Sequence, residues 1–210
     1  VISVGNMTVG GSGKTPTVQY LSKLLQSKGK KVGIISRGYG RKSKNITIVT
    51  DGKIKPKTWE FFGDEPYMLA KNLDEIPIIV GESRYKAGIK MVNEFNPDII
   101  IMDDGFQHTA LYRNLDIVLI NSKDTEKSHR LIPLGLLREP LSNLSRADLV
   151  ILTKTNIHKT SRYQEKIKKK IKCPIINNKI EIDNILLDTK GEPHPLKIIK
   201  KKNVYIYSAL

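Results

Sequence analysis

The residues Thr8-Val9-Gly10-Gly11-Ser12-Gly13-Lys14-Thr15 form the run of this sequence best suited to chemistry, and that chemistry is the holding of phosphate. Glycines at 10, 11 and 13 let backbone N–H groups turn inward around an anion without side-chain clash. The helical pattern that follows offers its positive N-terminus to the same group. Lys14 is spaced to reach terminal phosphates, and the Thr15 hydroxyl to ligate Mg²⁺. Thr8 stands where the generic G-x-x-x-x-G-K-[ST] pattern has its first glycine.

Carboxylates occur where such a loop can use them. Ile99-Ile100-Ile101-Met102-Asp103-Asp104 reads as an apolar strand ending in two acids, and in a doubly wound sheet the strand carboxyl ends share one crevice with the phosphate loop. Mg²⁺ takes oxygen ligands, so Asp103 and Asp104 are metal-side candidates. Gly105 permits a tight turn, after which Gln107 and His108 can face the phosphate or the acceptor. Gly63-Asp64-Glu65-Pro66 supplies a second acidic group, in which Asp64 can accept a proton from a hydroxyl attacking in line. The same residues also spell a helix start, with Asp64 as cap and Pro66 in the first turn. Arg37 and Arg41 in Ser36-Arg37-Gly38-Tyr39-Gly40-Arg41, and Arg138 in Leu137-Arg138-Glu139-Pro140, are of the type that clamps phosphate, and equally of the type common in exposed loops.

Short apolar runs alternating with amphipathic stretches must position these groups, a pattern that implies a parallel sheet with helices on both faces. Strands are expected at Val1–Val4, Val32–Ser36, Ile46–Thr50, Ile76–Val80, Asp98–Met102, Ile117–Ile120 and Leu149–Leu152. Helices are expected at Lys14–Ser27, Glu65–Lys71, Ser83–Glu94 and Ser161–Lys170, the first seated through Val18, Leu21, Leu24 and Leu25 and ended by Gly29. Beyond Cys173-Pro174 the texture changes to short β-like pieces at Ile175–Lys179, Glu181–Leu187 and Lys197–Tyr207, with a turn-rich break over residues 188–193. The lone Cys173 cannot form an internal disulfide and reads as a buried thiol of a reducing compartment.

The 210 residues carry a formal charge of +15. Such a field attracts nucleotide phosphates, anionic lipid surfaces or nucleic acid. The densest cluster, Lys166, Lys168, Lys169, Lys170 and Lys172, spreads over most faces of a helix. No aromatic residues interleave it, which argues against a stacking platform for single strands and leaves nucleic acid unsupported as a partner.

Taken in order, GNMTVGGSGKTP at 5–16, SRGYGRK at 36–42, GDEP at 63–66, DDGFQH at 103–108 and LIPLGLLREP at 131–140 closely resemble the tetraacyldisaccharide 4'-kinases, the lipid A 4'-kinases of Gram-negative bacteria. The resemblance covers most of residues 1–180. It implies an α/β fold: a doubly wound, mostly parallel sheet of the P-loop NTPase type over 1–178, a β-strand linker over 179–202 and the start of a second α/β domain over 203–210. The implied activity is ATP- and Mg²⁺-dependent phosphorylation of the 4'-hydroxyl of a tetraacylated glucosamine disaccharide 1-phosphate. The implied place is the cytoplasmic face of the bacterial inner membrane, against its anionic surface. Carried onto matching positions, Lys14 and Thr15 serve nucleotide and metal, Asp64 is the base with Glu65 beside it, and Asp103, Asp104 and Glu139 form the metal-side set. Gln107 and His108 lie near the reacting phosphate, and Arg37 and Arg41 contact an anion. The family also has an apolar helix before the first strand and a second domain supplying a histidine to the base. Residues 1–210 alone are therefore expected to bind nucleotide but to transfer little phosphate.

The competing reading is a nucleotide switch of the partitioning or metal-chaperone class. The Gly10-Gly11 pair is reminiscent of the variant loops of that class, and Thr153-Lys154-Thr155-Asn156 echoes a guanine-reading [NT]-K-x-D pattern. Asn156, however, replaces the carboxylate of that pattern, and Val9 replaces the lysine usual in the variant loops.

Overall fold

The computed structural model describes residues 1–42, 44–157, 162–181 and 185–205, the backbone alone over 162–164. The described residues divide into two compact units, Val1–Lys179 and Ile180–Leu210. In the first unit the sequence alternates strand and helix: β1 (Ile2–Asn6), α1 (Lys14–Ser27), β2 (Val32–Ser36), β3 (Thr47–Thr50), α2 (Asp64–Asn72), β4 (Ile78–Val80), α3 (Arg84–Phe95), β5 (Ile99–Asp103), β6 (Leu115–Asn121), β7 (Leu149–Thr153), α4 (Arg162–Lys170) and β8 (Ile175–Asn177). A 3₁₀ turn at Leu141–Arg146, not foreseen from the sequence, precedes β7.

The strands form one eight-stranded sheet in the order β3-β4-β2-β5-β1-β6-β7-β8. All neighbours are parallel except the edge strand β3, which runs antiparallel to β4. Period-two alternation sends side chains to two faces. Ile34, Ile78, Ile101, Ile117 and Leu119 pack with Val18 of α1 and with Leu69, Ala70 and Leu73 at α2. On the other face Ile35, Ile79 and Met102 meet Ala87 and Met91 of α3. Val118, Ile120, Val150 and Leu152 meet Ile167 of α4 together with Phe106 and Leu144. Each such aliphatic side chain, fully removed from water, stabilises the fold by about 1.5–3 kcal/mol.

Leu24, expected in the buried stripe of α1, is 40% exposed, because Val18, Leu21 and Leu25 already fill the contact with the sheet. Cys173 is half-buried against the α4 cluster rather than fully enclosed.

In the second unit β9 (Ile185–Leu187) pairs antiparallel with β10 (Pro193–Pro195), and the turn-rich residues between them close the hairpin. The strand expected over Lys197–Tyr207 does not form among the described residues. Pro195, at φ −64°, instead starts a 3₁₀ turn over Leu196–Ile199, and its three-residue period overrides the two-residue one. Ile206 and Tyr207, like Ser161 and residues 182–184, lie outside the described residues.

The central strands carry one steric constraint that bears on the site. A Cβ added at Gly5 would lie 2.6 Å from Phe106 Cβ and 2.7 Å from the Phe106 backbone N, whereas one at Gly33 would meet the flexible end of Met91. Gly5→Ala is therefore expected to lower stability by about 1–3 kcal/mol in urea unfolding, and Gly33→Ala by less. Equal losses would show that the Phe106 turn yields as readily as a methionine thioether.

Candidate active site

Every chemical group singled out in the sequence from β1, β2 and β5 lies at the carboxyl-end rim of the sheet. The loop between β1 and α1 turns through left-handed glycines, Gly10 at φ 115° and Gly13 at φ 90°, conformations that side chains other than glycine rarely adopt. Gly13 stands at the N-cap of α1 without a side-chain cap, and the first turn carries no acidic residue, so the positive helix end is left for an outside anion. Thr15 is buried in that first turn.

The loop is held from three sides. Asn6 Nδ2 donates to Thr8 O at 2.6 Å, Val9 N donates to Leu136 O at 2.9 Å, and Thr8 bridges Leu137. From the ends of β6 and β7, Thr153 Oγ1 donates to Ser12 O at 3.0 Å, Asn121 Nδ2 to Gly11 O at 3.4 Å and Lys154 Nζ to Gly11 O at 3.3 Å. Thr153 and Lys154 thus brace the phosphate loop. Their resemblance to a base-reading motif was the one signal in the sequence, and it pointed to a different role.

Lys14, nearly buried, donates to Asn6 Oδ1 at 3.2 Å and lies 3.5 Å from Asp104 Oδ1. Arg138 Nη1 donates to both oxygens of Asp104, at 2.9 and 2.8 Å. Burial alone would raise the Asp104 carboxyl, but Lys14 and Arg138 together hold it below the usual carboxylate range. Its neighbour Asp103 has the opposite environment. It is fully buried, accepts one hydrogen bond from Ser36 Oγ at 3.2 Å, and keeps Oδ1 without a partner. Burial, then the charges of Glu65 and Asp104, push its carboxyl up to about 7. A buried carboxylate oxygen with no donor, on the strand next to the one that leads into the phosphate loop, suits a hard cation, so the residues present fit Mg²⁺.

Glu65 in the first turn of α2 is raised by burial, an effect that Lys14 opposes and Asp104 reinforces. This coupling brings α2's acidic start to the same pocket. Asp64 is exposed, and it is not the cap: Gly63, at φ 91°, holds that position, and Asp64 Oδ1 accepts from Glu65 N at 2.9 Å. Its carboxylate thus stays open to solvent at the start of α2.

Glu139, expected on the metal side, is bound by three donors instead. Gln107 Nε2 reaches Oε1 at 2.8 Å, and Asn143 Nδ2 and Arg146 Nη2 reach Oε2 at 2.8 and 2.7 Å. Among the described residues no three His, Cys, Asp or Glu side chains close into a metal cage. Gln107 also donates to Asn6 O at 2.9 Å, tying the β5 turn to the loop. Arg146 lies 4.6 Å over the Phe106 ring. Arg41 donates to the carbonyls of Asn45 and Lys44 and braces its own loop, while Arg37 is exposed at the end of β2. His108 is driven toward the neutral form by burial and by Arg84, Arg113 and Arg37. Arg84 itself, 5% exposed, escaped the sequence reading because nothing in Ser83-Arg84-Tyr85 marks it apart from a surface helix start.

A glycine loop on a helix N-terminus, an inward lysine and an acidic pair at the end of the adjacent strand β5 define a P-loop nucleotide-binding domain. The family model for the tetraacyldisaccharide-1-P 4'-kinases, LpxK, matches residues 1–207, and the chain belongs to that family. It is 42% identical over its whole length to the tetraacyldisaccharide 4'-kinase of Aquifex aeolicus, of which it covers 63%. Over 73% of the chain it is 45% identical to the Geobacter sulfurreducens enzyme of the same name, covering 44% of that protein. A solved structure of LpxK from Aquifex aeolicus in complex with ATP superposes with a TM-score of 0.79 at 42% identity, covering 97% of this chain and 61% of that one. The chain thus spans between about two-fifths and two-thirds of the length of these relatives.

Two measurements follow from the site. A carboxyl at about 7 in the folded protein keeps a proton that the unfolded chain releases above about pH 4, so this group's stabilising contribution is full below pH 4 and is lost as pH rises toward 7. The melting temperature of the nucleotide-free protein should therefore fall between pH 5 and 8, and Asp103→Asn should flatten that slope. An unchanged slope would assign the titration to another group. Thr153→Val removes one buried hydrogen bond to the loop, worth about 1 kcal/mol, and should weaken ATP binding by about fivefold in calorimetric titration.

Proposed function

We propose that the protein transfers the γ-phosphoryl group of ATP to the 4'-hydroxyl of a tetraacylated glucosamine disaccharide 1-phosphate, a precursor of lipid A. The observation that carries this reading is the convergence of Lys14, Thr15, Asp103, Asp104 and Glu65 on one pocket, in a chain of the tetraacyldisaccharide-1-P 4'-kinase family.

The residues suit distinct roles. The backbone of residues 8–15 and the open N-terminus of α1 cradle the β- and γ-phosphates. Lys14, whose ammonium meets Asn6 and Asp104, reaches the terminal phosphates and stabilises the charge that spreads over them as the bond to the leaving oxygen lengthens. Thr15, Asp103 and Asp104 would hold Mg²⁺, which when bound neutralises charge on the phosphate oxygens. Arg138 keeps Asp104 ionised and pointed inward. Gln107, fixed by Glu139, keeps the β5 turn against the loop so that the acidic pair and the lysine stay in register. Asp64, the open carboxylate at the start of α2, receives the hydroxyl proton as the 4'-oxygen attacks. Arg37 and His108 flank the acceptor side, and the charge of Glu65 helps raise the Asp103 carboxyl.

The setting we propose is the cytoplasmic face of the bacterial inner membrane. No helix among the described residues is long and apolar enough to cross a membrane. A chain of charge +15 is drawn to an anionic lipid surface by about 1 kcal/mol for each lysine or arginine near it.

In the intact protein, radiolabelled ATP with the disaccharide 1-phosphate lipid should yield labelled lipid, and release of free phosphate alone would sink the proposal in favour of a nucleotide switch. Asp64→Ala should reduce transfer by roughly 10²–10⁴-fold with ATP affinity nearly unchanged, as expected for loss of a general base. Retained turnover would remove Asp64 from that role.

A further inference from the structure

The chain from Arg138 to Arg146 carries a second carboxylate–guanidinium pair, set one step back from the phosphate loop. Pro140, at φ −57°, starts the 3₁₀ turn over Leu141–Arg146, and buried Leu144 and Ala147 pack that turn into the same cluster as Ile167 of α4. The turn ends by laying Arg146 across Phe106: Nη2 donates to Phe106 O at 3.3 Å and to Glu139 Oε2 at 2.7 Å, and the guanidinium lies 4.6 Å over the Phe106 ring. Asn143 adds an uncharged donor to the same Glu139 oxygen at 2.8 Å. The Glu139 side chain is 12% exposed, and Arg146 is its ion-pair partner among the described residues.

Glu139 in turn decides how Gln107 is oriented. A carboxylate and a carbonyl can only accept, so the Gln107 amide presents its N–H groups to Glu139 Oε1 and Asn6 O, at 2.8 and 2.9 Å, and turns its Oε1 to Arg138 Nη1 at 3.5 Å. One amide therefore separates Glu139 from Arg138, the guanidinium that grips both oxygens of Asp104. Two carboxylates, Asp104 and Glu139, share this corner with Lys14, Arg138 and Arg146. Lys14 is the cation a nucleotide takes, so each carboxylate needs an arginine of its own. Without Arg146, Glu139 would be a largely buried charge lacking its counter-ion, with Arg138 available across one amide. An Arg138 shared with Glu139 would leave Asp104 to Lys14.

We infer that Arg146 is a positioning residue for phosphoryl transfer: it holds the charge of Glu139, so that Arg138 stays on Asp104 and Lys14 is free for the terminal phosphates. In this role it acts through Glu139 and Gln107 rather than on the reacting atoms. The inference rests on the transfer reaction proposed above.

The test follows transfer from ATP to the disaccharide 1-phosphate lipid in the intact protein, with the melting temperature recorded for each variant. Arg146→Met should lower kcat roughly 10- to 100-fold, the scale on which groups that orient functional side chains act, with the KM for ATP nearly unchanged. Arg146→Lys, which keeps the charge, should recover most of that loss, and Asn143→Ala, which removes an uncharged donor from the same oxygen, should cost several-fold less. With the competing carboxylate neutralised, the double variant Arg146→Met/Glu139→Gln should turn over as fast as Glu139→Gln alone. Losses that multiply in the double variant, or equal losses from Asn143→Ala and Arg146→Met, would overturn the inference and leave Arg146 a strut of the 3₁₀ turn. Arg146→Gln gives the same readouts should the methionine variant not fold. Absence of transfer by the unaltered protein would overturn the proposed reaction itself, whereas normal transfer by both the unaltered protein and the Arg146 variants would overturn this inference alone.

Discussion

Two adjacent carboxyls at the end of β5 set the electrostatics on which the pocket depends. Side by side in a low-dielectric site they cannot both carry charge unless cations compensate them. The protein resolves this unequally. Asp104 points to Lys14 and Arg138 and stays ionised, whereas Asp103 points to Ser36, with one oxygen unpartnered, and holds a proton into the neutral range. The lysine that must reach the nucleotide is thus already inside the pocket, on a partner it can leave.

The scaffold around this pair is built from side chains that grip loop carbonyls and from the bonded series Gln107–Glu139–Arg146. Thr153, Asn121 and Lys154 grip the carbonyls of the phosphate loop, and Gln107 links Asn6 to Glu139 and so to Arg146 and Phe106. Because Gly5 admits Phe106 against β1 with no room for a Cβ, the β5 turn and the phosphate loop form one rigid edge. A misplacement of either would separate Lys14 from Asp104, and the electrostatic balance would be lost with it.

Much of this was legible in the residues. The loop at 8–15, the strand ending in Asp103-Asp104 and the helix over Lys14–Ser27 each announce themselves through glycine placement, apolar runs and 3.6-residue periodicity. Those signals are local, and local signals survive folding when a buried sheet rewards them. Glu139 and Arg41 were less transparent: their types suggest metal and phosphate, but nearby amides, guanidinium groups and carbonyls occupy them. The strand expected over 197–207 does not form among the described residues for the converse reason, since a proline there sets a tighter turn than an apolar alternation can override.

The sequence by itself determined which groups could do chemistry and which strand or helix end each would occupy, because glycine freedom, helix polarity and apolar periodicity act over a few residues. Only the tertiary structure decided which of them share charge. The strand order that brings β5 beside both β1 and β2, and lays β4 outside them, depends on crossovers that no local pattern encodes. That order gives Lys14 to Asp104, raises the Asp103 carboxyl to about 7, and buries Arg84, an unremarkable helix-start residue in the sequence, under the turn after β4.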